Sequence, residues 1–139
     1  MLTIEEALEG STPLARKVAA GGPYASPAEL VERMRAMVPA LTEEEKIATL
    51  NAHPRIGEDP GRLSARSLRE QGDDALPELE LLNAEYERRF GFRFVVFVNR
   101  RPKSQIVEVL KQRLQRPREE EMTQGLNAIV DIAEDRLRA

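Results

Sequence analysis

Only one stretch of this chain has the composition of a β-strand, and that narrows the fold more than any other feature. Phe92-Arg93-Phe94-Val95-Val96-Phe97-Val98 is aromatic and β-branched. Nearly everywhere else the apolar residues recur at spacings of three and four, the signature of amphipathic helices. A strand with no second strand to pair with cannot build a sheet. Residues 92–98 are therefore predicted to form a buried extended segment linking helices, in an all-α, single-domain bundle of about seven to eight helical elements.

The punctuation between helices is explicit. Thr3 with Glu6 has capping-box spacing. Pro13 suits the first turn of a second helix, which Gly21-Gly22-Pro23 would end. Ser26 is placed to cap a helix starting at Pro27, whose apolar stripe is Leu30, Val31, Met34, Met37 and Val38, and which Pro39 stops. Thr42 and Glu45 repeat the capping box before a face of Ile47, Ala48 and Leu50. From His53 to Leu63 the prolines and glycines forbid a regular helix. A helix from Ser64 to Gly72 is predicted next, then a long one over residues 74–90 with Leu76, Leu79, Leu82, Ala84 and Tyr86 on its stripe and Gly91 as its stop. Helices resume near Lys103 (Ile106, Val109, Leu110, Leu114) and after Pro117 (Met122, Leu126, Ile129, Val130, Ile132, Ala133, Leu137). The acidic runs Glu43–Glu45 and Glu119–Glu121 sit in first helical turns, where they suit the helix dipole.

Composition removes several function classes. The 139 residues fit one domain over 1–139. With 41% hydrophobic and 32% charged residues the chain is globular rather than disordered. There is no cysteine and one histidine, which excludes disulfides, thiolate metal sites, cysteine nucleophiles and a multi-histidine metal site within one chain. A formal charge of −3 argues against nucleic acid as a partner. No apolar run is long enough for a bilayer, and the acidic start MLTIEEALEG is unlike a secretory leader, so a cytoplasmic protein is expected.

Three features carry possible chemistry. His53 has the only side chain whose ordinary pKa lies near neutrality, and Pro54 after it restricts its backbone and stiffens the turn. Ser67, Glu70 and Gln71 share one helix face, offering a hydroxyl, a carboxylate and an amide. The Phe94–Val98 backbone brings N–H and C=O groups that need partners, and the basic run Arg100-Arg101-Pro102-Lys103 follows it. Taken alone, each has a commoner reading: a surface or capping histidine, a solvated helix face, core packing, a solvated charge run.

Taken in order, the segments say more. His53-Pro54-Arg55-Ile56-Gly57, then Ser67-Leu68-Arg69-Glu70-Gln71, then the run from Leu82-Asn83-Ala84-Glu85-Tyr86 through Phe90-Gly91-Phe92-Arg93-Phe94, then Arg113-Leu114 and a closing Ile132-Ala133-Glu134-Asp135-Arg136-Leu137 together resemble the OHCU decarboxylase family over residues 41–137. OHCU is 2-oxo-4-hydroxy-4-carboxy-5-ureidoimidazoline. The resemblance implies an all-α homodimer that decarboxylates OHCU to (S)-allantoin, the third step of urate breakdown, with no metal or organic cofactor. It implies His53 and Glu70 as catalytic residues. It implies substrate contacts at Pro54, Ser67, Leu68, Arg69 and Gln71, and along Phe94, Val95, Val96, Phe97 and Val98. Some members carry a basic residue directly after the extended segment; this chain has Asn99 there, followed by Arg100 and Arg101. The rival readings are a helical protein-interaction module with an exposed apolar groove, and a different hydrolase or isomerase built on a His–Glu pair.

Overall fold

The structure is a computed structural model that describes residues 3–55 and 77–138. Seven α-helices lie among them: α1 (Ile4–Ala7), α2 (Pro13–Ala20), α3 (Pro27–Met37), α4 (Glu43–Asn51), α5 (Pro77–Phe90), α6 (Lys103–Arg113) and α7 (Arg118–Arg138). A 3-10 turn, Val38–Ala40, joins α3 to α4. None of the described residues lies in a strand, so the all-α reading holds. The helix predicted from Ser64 to Gly72 lies outside the described residues.

The helix starts follow the local chemistry read from the sequence. The Thr3 hydroxyl accepts from the Glu6 N–H at 3.1 Å and the Glu6 carboxylate accepts from the Thr3 N–H at 3.0 Å. Thr42 and Glu45 repeat the exchange at 3.1 and 2.9 Å. The Thr42 N–H is the main reason the Glu45 carboxyl sits below its usual range. Ser26 caps α3, and Thr12 caps α2 with Pro13 in the first turn. Such caps contribute about 1 kcal/mol each.

The long C-terminal helix organises the packing: α7 lies against α1, α3 and α4, while α2 touches α1, α3 and α4, and α5 packs on α6. Leu126, Ile129, Val130 and Ala133 of α7 are fully buried among Leu8, Leu14, Val18, Met34 and Leu50. Gly125 lets α4 approach α7 closely. A Cβ there would lie 2.8 Å from Leu50 Cδ2, and Leu50 is itself fully buried.

Two stripe assignments change. Ala48 and Ala84 are exposed, and Thr49 and Asn83 take the buried positions. Alanine gains too little from burial to set a helix's rotation. The larger Leu79, Tyr86 and Phe90 turn α5 so that Asn83, in register with them, faces inward. Thr49 satisfies its hydroxyl on the Glu45 carbonyl, one turn back, at 2.8 Å.

After α5, Gly91 takes φ +82° and its N–H bonds the Glu87 carbonyl at 2.9 Å, ending the helix as predicted. Residues 93–98 form neither helix nor strand. Phe92, Phe94, Val95 and Val96 are buried. Phe94 and Phe92 meet Tyr86 at centroid distances of 5.3 and 6.0 Å, and Phe90 meets it at 4.5 Å. The segment is thus the buried link the composition predicted.

Candidate functional site

His53 stands where α4 stops. Its N–H still bonds the Leu50 carbonyl at 3.2 Å, a last helical hydrogen bond, before Pro54 prevents another turn. The turn is then fastened from two sides. Arg93, within the 92–98 link, donates from Nη1 to the His53 carbonyl at 3.0 Å, and its N–H donates to Asn51 Oδ1 at 2.9 Å. Arg55 grips Glu87 of α5 through two parallel hydrogen bonds of 2.6 and 3.0 Å. The His-Pro turn and the link are therefore neighbours, tied by side chains of both.

The imidazole is 3% exposed, and Nε2 is buried with no hydrogen-bond partner. Burial depresses its pKa from 6.5 to about 4. The carboxylate of Glu9 pulls it up and the guanidinium of Arg136 pushes it down. At neutral pH this is a neutral ring with a buried, unengaged nitrogen. Native proteins seldom leave such an atom without a partner, and a polar ligand is one way to supply it.

The two charges beside His53 escaped the reading of the sequence. Glu9 belongs to the turn that ends α1, and Arg136 lies near the end of α7. They meet at 2.7 Å across 127 positions of chain, and Arg136 also donates to the Ala7 carbonyl at 3.2 Å. Arg136 carried one unused signal. It follows Ile129 and Ala133 at helical spacing, so a cation falls on the core face of α7.

The other predicted residues divide. Pro54 is half-buried beside His53. The side chains of Phe94, Val95 and Val96 are spent on the core, whereas Phe97 and Val98 are half-buried. Arg113 takes the Val95 carbonyl at 2.9 Å, and Arg101 takes the Phe97 and Val98 carbonyls at 2.6 and 3.1 Å. Arg101 is thereby committed to holding the link. Asn99 and Arg100, both at positive φ, form the exposed turn between them. Ser67, Leu68, Arg69, Glu70 and Gln71 lie outside the described residues.

The acidic run at the start of α7 also needs correcting. Glu119 and Glu120 are exposed, as dipole-facing residues should be. Glu121 is fully buried: its Oε1 accepts from Arg113 Nε and from the Tyr86 hydroxyl, each at 2.7 Å. Among the described residues no three His, Cys, Asp or Glu side chains gather as a metal site would require.

Comparison with known proteins identifies the family. The family model described as OHCU decarboxylase matches residues 2–138. The uric acid degradation bifunctional protein PucL of Bacillus subtilis is 34% identical over 97% of this chain, but the match covers 29% of that protein. The chain thus spans less than a third of the length of that relative. A 2-oxo-4-hydroxy-4-carboxy-5-ureidoimidazoline decarboxylase of Haloferax volcanii is 30% identical over 95% of this chain and 83% of its own length. The crystal structure of an OHCU decarboxylase in the presence of (S)-allantoin superposes with a TM-score of 0.73 over 96% of this chain and 92% of that one, at 23% identity, and so shares the fold. With the family model spanning nearly every residue, the chain belongs to the OHCU decarboxylase family.

Proposed function

We propose that this protein decarboxylates OHCU to (S)-allantoin in urate degradation, with His53 and Glu70 as its catalytic residues. One observation carries the reading. In a chain of this family, the single histidine is buried at the end of α4, uncharged, with Nε2 unengaged and within electrostatic reach of a carboxylate and a guanidinium. A surface histidine would have neither the burial nor the unengaged buried nitrogen.

The substrate brings its own electron sink. When CO2 leaves, its bonding pair becomes a ring C=C bond, the pair of the former C=N moves onto the ring nitrogen, and that nitrogen takes a proton from solvent. The hydroxyl must then give up a proton as it becomes a carbonyl, and the ureido-bearing carbon must receive one on a single face. A neutral imidazole suits both transfers, because it accepts at one moment and donates at the next. The depressed pKa thus favours a proton shuttle over a permanently charged donor. Glu70, further along the sequence, is assigned to orient His53 and the substrate hydroxyl. Pro54, Ser67, Leu68, Arg69, Gln71 and the backbone of Phe94–Val98 are assigned to hold the ring and ureido group. Arg136 adds a cation that sequence reading did not supply, suited to compensating the substrate carboxylate in a site of low dielectric.

Assembly as a homodimer and a cytoplasmic location belong to the same reading; no described helix is long and apolar enough to cross a membrane. The interaction-module alternative calls for an exposed apolar groove. Among the described residues the large hydrophobic side chain left exposed is Leu81, alone on its face of α5. The test is to add the protein to freshly generated OHCU and follow circular dichroism. Accelerated appearance of (S)-allantoin is expected; a racemic product forming at the uncatalysed rate would overturn the proposal.

A further inference from the structure

The turn that ends α1 puts a charged side chain where a helix stop more often has glycine. Glu9 adopts φ +60° and Gly10 follows at +104°, with the Gly10 N–H on the Glu5 carbonyl at 2.7 Å. Glycine takes such a conformation freely, whereas a side chain with a Cβ does so at a cost. Position 9 nevertheless carries a long, charged residue. Its carboxylate is 12% exposed and lies 2.7 Å from the guanidinium of Arg136, which is 4% exposed. The left-handed conformation is itself the ordinary stop of a helix, with Gly10 bonded back to Glu5; what marks position 9 is that its carboxylate is buried against a cation from the far end of the chain and acts electrostatically on the buried histidine.

We infer that Glu9 is a positioning residue of the reaction: it fixes Arg136 beside His53 and partly neutralises it, so that the cation steers a substrate carboxylate without gripping it fully. The inference rests on the proposed decarboxylation. Its physical reason lies in what that reaction does to charge. The carboxylate enters as an anion and leaves as neutral CO2, so an unshared guanidinium would stabilise the ground state more than the transition state. A cation already paired with a carboxylate retains the steering and gives up much of that excess grip. The backbone anchor of Arg136 on the Ala7 carbonyl, in the same α1 turn, fixes the direction in which the guanidinium points. The charged groups around His53 in the described residues are Glu9 from the α1 turn, Arg136 from α7, Arg93 from the link, bound to the His53 carbonyl, and Arg55 of the His-Pro turn itself, paired with Glu87 of α5.

The decisive variant is Glu9→Gln, which keeps an oxygen acceptor for Arg136 and removes the charge. Steady-state kinetics on OHCU should show kcat falling by about tenfold to a hundredfold while KM stays at or below the wild-type value, the pattern of a strengthened ground state. Glu9→Asp, which restores the charge on a shorter arm, should recover part of the lost kcat. It also carries the test in the same direction should Glu9→Gln fail to fold. An unchanged kcat, or a fall in kcat accompanied by a rise in KM, overturns the inference, as does an effect confined to melting temperature. Because the chain has one histidine, its ring resonances report the site without any substrate. Their titration midpoint should move down in Glu9→Gln; an unmoved midpoint means that the two groups are not neighbours and also overturns it. Wild-type protein inactive on OHCU would sink the functional proposal instead, a result the kinetics distinguish directly.

Discussion

Two arginines in this molecule are buried to the same degree and paired with a glutamate at the same distance, yet their surroundings differ. Arg113 of α6 and Glu121 of α7 meet at 2.7 Å with side chains 4% and 0% exposed. Arg136 of α7 and Glu9 of the α1 turn meet at 2.7 Å at 4% and 12%. The first pair lies among aromatic rings. Arg113 stacks over Phe94 at 4.6 Å and donates to the Val95 carbonyl, and Tyr86 donates to Glu121. It fastens the 92–98 link to α6 and α7. The second pair joins the turn that ends α1 to the end of α7, and both of its charges act on the buried His53 ring. Burial and distance are alike in the two pairs, so it is their surroundings that predict a supporting role for the first and a role in the reaction for the second.

The comparison is broken most severely by removing one arginine at a time. Arg113→Met leaves Glu121 charged and buried with only the longer 3.7 Å contact to the half-exposed Arg116, a loss expected to cost about 3–5 kcal/mol. The double variant Arg113→Met/Glu121→Leu should recover most of that, since a well-packed apolar replacement of a buried pair is often neutral. Urea unfolding measures both. Arg136→Met should reverse the emphasis: a smaller loss of stability, because Glu9 is closer to water, and a large loss of kcat/KM on OHCU. If the two single variants lost stability equally and Arg136→Met kept its activity, the distinction between the pairs would be empty.

The next effect in size is a pH dependence that only the second region owns. Folded His53 has a pKa of about 4 against 6.5 in the unfolded chain. Between those values the unfolded state binds more protons, so stability rises with pH there. It is complete above 6.5 and is lost as pH falls toward 4. The gap corresponds to roughly 3 kcal/mol. Acidic groups titrate in the same range, so the measurement is the stability difference between wild type and His53→Asn at several pH values. The difference should shift in favour of wild type as pH rises from 4 to 6.5 and stay flat above it. A constant difference would mean that His53 is not buried as described.

How far these regions were legible follows from the range of the interactions. The caps at Thr3, Ser26 and Thr42, the stop at Gly91 and the apolar link over residues 92–98 rest on contacts within a few residues, and all were read correctly. His53 announced itself by being alone and by preceding Pro54. Glu121 was misread as a dipole-facing residue because its local setting, the first turn of a helix, fits that role; its partners come from α5 and α6. Glu9 and Arg136 are joined across almost the whole chain, and no local pattern points from one to the other. What the sequence does hold is the misplacement of both arginines. Arg113 follows Ile106 and Leu110, and Arg136 follows Ile129 and Ala133, at spacings that put a cation on a core face. Such a residue must find a buried anion, and the three acidic residues of the α7 first turn were an available source. Alanine misled at positions 48 and 84 because its burial is worth little either way.

The smallest expected effect sharpens the comparison most cleanly, because it alters one region by a single atom. Tyr86 is buried, and its hydroxyl gives Glu121 one of the two hydrogen bonds on Oε1. Burial, and then the adjacent carboxylate, push the phenol pKa far upward, so it remains a donor at any pH the protein meets. Tyr86→Phe keeps the ring contacts with Phe90, Phe92 and Phe94 and removes only that donor. A hydrogen bond to a buried charge is worth about 1.5–3 kcal/mol. The value here should fall at the lower end, because Arg113 still holds the carboxylate. Unfolding in urea should show that loss without a change in the slope against denaturant. Catalysis should not follow stability down: if the aromatic region only supports the link, kcat/KM on OHCU measured well below the melting temperature stays at the wild-type value. A fall in kcat in Tyr86→Phe would instead mean that the link transmits its strain to the His53 turn through Arg93, and the two regions would have to be treated as one.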